Sequence, residues 1–388
     1  MSLPLLTRSP AQWQALSGLH TAAEIVQQPR IWRELAASLA AQQGEIGRCL
    51  QHWLHAADSL VIFTGAGSSA FIGEVLADEV NHQWPCEVRA IATTSLLSHP
   101  RLYLRRERPT LLVSFARSGN SPESLAAVQL LREQVSGCGF LNITCNEQGA
   151  LYREGREQAD TLNLLMPVGS CDQGFAMTSS FSAMLLAALT VFASEPWPQR
   201  EQRLLALAEQ GEQVLQATAE RLAGLALAER PRVVFLGDGP MAAIAKESAL
   251  KLLELTAGRV VAFADSSLGF RHGPKSLLNA DTLVLLYASS DAHARRYQQD
   301  LLDELRRDGV AGEVLALGPA LPPFGEPDIG LPAQAGGDAW QGLLGLLLAQ
   351  QYALQRAVAL GGTPDNPFPG GTVNRVVQGV SIYPFKSA

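Results

Sequence analysis

Apolar residues recur along this chain in two rhythms. Short, mostly apolar runs, Val61-Ile62-Phe63, Leu111-Leu112-Val113 and Leu141-Asn142-Ile143, have the character of buried strands. Between them lie Ala- and Leu-rich stretches at helical spacing, such as 124 to 135. The whole succession returns at an offset of 172 residues, with Val233-Val234-Phe235, Leu283-Val284-Leu285 and Glu313-Val314-Leu315 as the second set of strands and 296 to 307 as a matching helix. The same offset carries Gly67 onto Gly239 and Ala116-Arg117-Ser118 onto Ala288-Ser289-Ser290. Strand and helix alternating in this way predict an α/β chain in which a doubly wound parallel sheet is made twice.

Domain limits follow from the repeat. Residues 1 to 48, with Trp13, Pro29 and Trp32 in an Ala/Gln-rich helical pattern, read as a short helical extension. Residues 49 to 210 hold the first repeat and 211 to 388 the second. The stretch from Glu201 to Glu229, nearly free of glycine, predicts a long helix joining them. Pro319 to Gly337 has the Pro/Gly density of a surface loop. The tail from Asp365, Asp-Asn-Pro-Phe-Pro-Gly-Gly-Thr-Val-Asn-Arg-Val-Val-Gln-Gly, is too strongly punctuated to be a fraying end.

The glycine turns change the picture from fold to chemistry. Ligands of open α/β sheets sit at the carboxyl ends of the strands, where helix N-termini favour anions. In the first repeat these ends read Gly65-Ala66-Gly67-Ser68-Ser69 and Ala116-Arg117-Ser118-Gly119-Asn120-Ser121, small residues and hydroxyls with one arginine, which suits a phosphate monoester. Alone, the first turn is ambiguous, because many strand-to-helix turns need glycine only for positive φ and serine only as a cap. The two strings together are more specific. The third glycine of a dinucleotide fingerprint falls on Ala70, and no acidic residue closes the next strand, so nicotinamide cofactors are disfavoured. The second repeat has Asp238, Pro240 and Asp291 at its strand ends, charges that would repel phosphate. One phosphate site per chain is expected.

The second repeat offers a different set. Glu247, Lys251 and Glu254 share one helix face, either as a solvated ion-pair stripe or as a catalytic carboxylate flanked by lysine. Ser266 to Lys275, Ser-Ser-Leu-Gly-Phe-Arg-His-Gly-Pro-Lys, carries His272, one of only seven histidines and a group able to titrate near neutrality. Arg375 in the tail is either a surface arginine or a residue that closes over an anionic ligand.

Composition narrows the alternatives. In 388 residues, 47% are apolar and 17% charged, enough for two ordinary cores, and a net charge of -7 argues against a nucleic-acid partner. Cys49, Cys86, Cys138, Cys145 and Cys171 form no CxxC pair, so neither a disulfide framework nor a metal site is suggested, and reduced thiols in a cytoplasmic protein are expected. The apolar segment Leu343 to Leu348 is too short to span a membrane, and no signal-peptide pattern opens the chain.

These motifs together resemble the double sugar-isomerase (SIS) architecture known from the isomerase half of glucosamine-6-phosphate synthase, which implies two tandem flavodoxin-like SIS domains. Gly67-Ser68-Ser69 and Arg117 to Ser121 resemble that family's phosphate loops. Glu247 to Glu254 and His272-Gly273-Pro274 resemble its catalytic helix and loop. The resemblance implies Glu254 as the proton-transferring base, Lys251 beside it, and His272 as the ring-opening group, given by a neighbouring subunit. A homodimer or dimer of dimers is therefore implied. The synthase's glutaminase half has no counterpart before the first repeat, and its C-terminal lysine falls near Arg375, which puts a free amine there in doubt.

A nearer likeness is to AgaS-type deaminase/isomerases of amino-sugar catabolism, carried by Phe115 to Glu123, Gly174 to Ser180, Gly269 to Lys275 and Gly371 to Gly379. It implies deamination and isomerisation of galactosamine 6-phosphate to tagatose 6-phosphate and ammonia, with no metal or other cofactor. The phosphate would rest on Ser69, Ser118 and Ser121 near Arg117. A plain aldose/ketose isomerase, a glucosamine-6-phosphate deaminase and a non-catalytic sugar-phosphate sensor are the alternatives, and retention of both Glu254 and His272 counts against the last.

Overall fold

A computed structural model describes residues 5–322, 325, 327–377 and 379–385, which leaves Gln378 of the tail motif outside the described residues. It contains two five-stranded, wholly parallel sheets. The first comprises β1 (Leu60–Thr64), β2 (Glu87–Ala90), β3 (Thr110–Ala116), β4 (Cys138–Thr144) and β5 (Thr161–Leu165) in the order β2-β1-β3-β4-β5. The second comprises β6 (Arg232–Leu236), β7 (Val261–Asp265), β8 (Thr282–Tyr287), β9 (Glu313–Gly318) and β10 (Ile329–Gly330), ordered β10-β9-β8-β6-β7. Read from its other edge this is the same order, so both sheets reverse direction of growth at one pair, β1/β3 and β6/β8. The registers agree too: Leu60 pairs with Thr110 and Arg232 with Thr282, each 172 residues on.

The apolar runs form strands because both faces of each sheet are covered. All residues of β1, β3 and β8 are buried. Each first strand turns directly into a helix, Ser68–Gln83 or Pro240–Leu255. Gly67 and Gly239 share one backbone conformation at these turns, φ 56 and ψ -131 against φ 54 and ψ -132, which side chains rarely adopt. The glycines two positions earlier allow a close approach instead: a Cβ on Gly65 would lie 2.6 Å from Ser69, and one on Gly237 2.5 Å from Met241.

The expected helices are present at Pro122–Gln134, Ala292–Asp308 and Trp197–Leu227. Among the described residues three helices precede β1, the last running from Gln28 to His55, with Trp13 and Trp32 fully buried. Within the expected loop 319–337 the structure places a two-residue strand, β10, paired with β9 through Ile329 and Leu317. Proline and glycine on both sides hide so short a strand, which is held by the buried Ile329 side chain.

The described chain divides into two compact units. One contains the second sheet, the residues before Arg30, Asp172–Thr178 and Ala206–Gly370. The other contains the first sheet, Arg30–Cys171, Ser179–Leu205 and the residues from Gly371. In the second-sheet unit the run Leu343 to Leu348 lies in helix Asp338–Ala359, buried along nearly its whole length against helix Pro240–Leu255. No helix among the described residues is long and apolar enough to cross a membrane. The tail is docked at its start: Asp365 accepts hydrogen bonds from the N–H groups of His20 (3.0 Å) and Thr21 (2.8 Å) and from the Thr21 hydroxyl (2.7 Å).

Candidate functional site

In the first-sheet unit, the ends of β1 and β3 gather Ser68, Ser69, Arg117, Ser118 and Ser121. Ser68 and Ser69 open helix Ser68–Gln83 and are 5% exposed. The loop after β3 is fixed from behind. Asn146 donates to the Ser118 carbonyl (2.9 Å), the Leu151 N–H to the Gly119 carbonyl (2.9 Å), and the Ala150 N–H to the Asn120 side chain (3.0 Å). Gly119 has φ 62. With the Ser118 and Gly119 carbonyls occupied, the Ser118 Oγ accepts from the Asn120 N–H (3.3 Å), leaving its own proton for an acceptor. The arrangement suits a small oxyanion, prepaid in conformational terms.

Two features of this loop are not legible in the sequence. The Ser121 hydroxyl donates to the buried Glu123 (2.6 Å), so it must exchange that partner to donate to a ligand. Arg117 is 8% exposed, and its Nη2 donates to the main-chain carbonyl of Arg375 (3.0 Å). The structure therefore joins the two arginines through the tail backbone, and the Arg375 side chain itself is exposed. A surface cavity of about 470 Å³ elsewhere in this unit, lined by Leu125, Arg132, Phe140 and Asn142 among others, contains none of the candidate residues.

In the second-sheet unit, helix Pro240–Leu255 carries the carboxylates. A solvated stripe is excluded, because Glu247 and Lys251 have no exposed side-chain surface. Lys251 Nζ lies 3.4 Å from Glu247 Oε1 and 2.5 Å from Glu254 Oε2, and the Glu254 side chain is 24% exposed. A lysine removed from water needs such partners to stay charged. The line of groups runs from a buried carboxylate through a buried ammonium to a carboxylate with access to solvent, as proton exchange with a ligand requires.

His272 is exposed, on the loop between helix Ser267–Phe270 and the turn Pro274–Leu277. Its neighbours are anchored. Arg271 Nη2 lies 2.8 Å from Glu304 Oε2, and Lys275 binds both Glu304 and Asp308, the latter at 2.7 Å. The bond from Lys275 holds the Glu304 carboxyl below the usual carboxylate range.

The strand ends of this unit are closed by its own side chains. Asp238 accepts from the Ser267 N–H (2.9 Å), the Ser267 hydroxyl (2.6 Å) and Gln298 (2.8 Å). Asp291 caps helix Ala292–Asp308 through the Ala294 N–H (2.8 Å). Asp338, which no sequence motif singles out, takes both donors of Ser290 and the hydroxyl of Ser289.

A further carboxylate escaped sequence reasoning. Glu24 is 6% exposed and accepts from the N–H groups of Gln173 (2.5 Å) and Gly174 (3.2 Å). Burial first, then the neighbouring Asp172, pushes its pKa up to about 8. It holds the Gly174 end of one motif noted above, while Asp172 accepts from the Thr178 N–H (3.0 Å) and hydroxyl (2.9 Å).

Comparison with known proteins bears on these arrangements. A family model described as SIS domain matches residues 54–194 and 226–317. The protein named D-galactosamine-6-phosphate deaminase AgaS from Shewanella sp. strain ANA-3 is 45% identical over 396 aligned residues, covering 99% of this chain and 95% of the relative. A crystal structure from Clostridium novyi NT matches with a TM-score of 0.95 at 39% identity, covering 99% of this chain and all of that one. The structure of tagatose-6-phosphate ketose/aldose isomerase from Escherichia coli matches with a TM-score of 0.87 at 38% identity and the same coverage.

Proposed function

The chain belongs to the SIS domain family, and from that premise we propose that it deaminates and isomerises D-galactosamine 6-phosphate to D-tagatose 6-phosphate and ammonia. One observation carries this reading above the others: 45% identity, along 99% of the chain, to a protein named D-galactosamine-6-phosphate deaminase. The likeness to an isomerase of tagatose 6-phosphate agrees with the ketose as product.

In this reading the first-sheet unit takes the phosphate and the second-sheet unit supplies the proton-transfer groups. Ser69, Ser118 and Ser121 donate to the phosphate oxygens with Gly67, Ser68 and Arg117 around them, and Arg375 contributes through the carbonyl that holds Arg117. The buried arginine and the fixed loop after β3 support this part. His272 moves the proton that opens the hemiacetal, which makes the C2 proton acidic beside the C1 aldehyde. Glu254 removes that proton and returns it at C1, while the C2 nitrogen loses a proton and the C1 oxygen gains one, so that an imine stands at C2 and a hydroxyl at C1. Water adds to the imine carbon and ammonia leaves, giving the ketose. Partial exposure of Glu254 beside the buried Lys251 and Glu247 supports its assignment as the base. With a phosphosugar as substrate, the enzyme works in the cytoplasm as a homo-oligomer whose His272 acts on a neighbouring subunit's substrate.

A plain ketose/aldose isomerase is the second reading, favoured by the name of the Escherichia coli structure. Ammonia release from galactosamine 6-phosphate and from glucosamine 6-phosphate, with ketose phosphate followed in parallel, separates the two. Stoichiometric ammonia and ketose from the galacto sugar is expected, with Glu254→Gln slower by about 10²- to 10⁴-fold. Interconversion of sugar phosphates without ammonia would favour the plain isomerase.

A further inference from the structure

We propose that Glu304 is a positioning residue for His272, gripping the chain on both sides of it. The inference rests on the reading of His272 as the ring-opening group. Glu304 contributes one oxygen to each flank: Oε2 lies 2.8 Å from Arg271 Nη2, and Oε1 is bonded to Lys275. His272 stands between these two cations, one residue after Arg271 and three before Lys275. Asp308, one helical turn beyond Glu304, takes Lys275 a second time at 2.7 Å.

The clamp has a rigid base and a rigid target. Glu304 and Asp308 project from helix Ala292–Asp308, whose Leu301, Leu302 and Leu305 are buried in one core cluster with Val234, Leu236 and Val284. Phe270, two residues before His272, is fully buried in the same cluster. The preceding short helix is capped by Ser266, whose hydroxyl accepts from the Gly269 N–H (3.0 Å), and is tied by Ser267 to Asp238. Between the anchors, Gly273 takes φ 127 and ψ -50, a turn that a side chain would strain. The two arms thus restrain a segment whose exposed side chain is the imidazole.

Stability does not account for such a network, since partly exposed ion pairs contribute little to it. Orientation does. An exposed histidine on a short loop has many rotamers and a mobile backbone, and displacement of a reacting group by about 1 Å can cost about a hundredfold in rate. Two charge-assisted bonds straddling the residue remove the backbone part of that freedom while leaving the ring uncovered.

The test is a double-mutant cycle in the full-length enzyme with galactosamine 6-phosphate as substrate. Glu304→Gln is expected to lower kcat about tenfold or more with KM within about twofold of wild type and circular dichroism unchanged. Arg271→Met, which removes one arm and leaves Glu304 in place, should fall between the two. In the His272→Ala background, Glu304→Gln should cost nothing further. Wild-type turnover by Glu304→Gln, or the same loss with and without His272, overturns the positioning role while the reading of His272 stands. Full turnover by His272→Ala overturns that reading itself and the positioning role with it.

Discussion

The Asp338 carboxylate accepts both the N–H (2.5 Å) and the hydroxyl (2.6 Å) of Ser290. Ser290 is the repeat counterpart of Ser118, 172 residues earlier, in the loop read here as a phosphate site. With the Ser289 hydroxyl as a third donor, Asp338 occupies the second loop as an oxyanion would. Repulsion by Asp238 and Asp291 is thus only part of why one phosphate is expected per chain. The donors persist in the second repeat and are already taken.

Replacing Asp338 by alanine should leave these donors without a partner, destabilising the fold by about 1–3 kcal/mol. Arg295, 5% exposed and donating to the carbonyls of Ser289 (2.9 Å) and Ser290 (3.2 Å), keeps its positive charge beside the vacancy. Formate or phosphate should therefore raise the melting temperature of Asp338→Ala more than that of wild type at equal ionic strength. Equal shifts in both proteins would mean that the loop does not take an external anion.

The pairing of Lys251 with Glu247 leads to a second expectation. Lys251→Met takes the ammonium away from a fully buried carboxylate, at a cost of about 3–5 kcal/mol. Adding Glu247→Gln should return part of that loss, because the buried negative charge that faced the ammonium goes with it. Urea denaturation of the single and double variants measures the difference. A double variant less stable than Lys251→Met would show that the two residues are not coupled as a buried ion pair.

How much of this was legible in the sequence depends on the range of the interactions. The parallel strands could be read because strands covered on both faces are continuous apolar runs, and their 172-residue offset reappears in the register of Leu60 with Thr110 and Arg232 with Thr282. The glycine turns could be read because Gly67 and Gly239 answer a local backbone requirement. Asp338 could not, since its partner Ser290 lies 48 residues away and nothing local to the start of helix Asp338–Ala359 announces the contact. Burial of Lys251 was equally hidden, because charge spacing on a helix is the same on a wet face and on a dry one. The carbonyl of Arg375, 258 residues from the arginine it meets, carries a contact in which its side-chain identity plays no part.

Arg117 provides a third test. Loss of a charged hydrogen bond to a phosphate oxygen costs about 1.5–3 kcal/mol, roughly 10- to 100-fold in kcat/KM. Arg117→Met should lose that factor on galactosamine 6-phosphate and little on galactosamine, so that the preference for the phosphorylated sugar narrows. Steady-state kinetics on the two substrates checks it. An unchanged preference would remove Arg117 from the phosphate site and leave it as a tether for the tail at Arg375.

Glu24 connects pH to the integrity of its unit. Its carboxyl faces Asp172 and Asp365, and burial followed by these charges raises its pKa from 4.5 to about 8. The folded state therefore favours the protonated acid. Its contribution to stability is complete below about pH 4.5 and is lost as pH rises towards 8, at no more than about 1.4 kcal/mol per pH unit for one proton. The segment Asp172–Thr178 is where the loss should appear, because Gln173 and Gly174 donate directly to this carboxyl. Glu24→Gln keeps an acceptor for those N–H groups and cannot ionise. Its melting temperature should accordingly vary less between pH 5 and pH 8 than that of wild type, with faster amide exchange at Gln173 and Gly174 in wild type at the upper end. The same pH slope in both proteins would mean that Glu24 is already ionised in the folded chain, its charge held by the two N–H groups against Asp172 and Asp365.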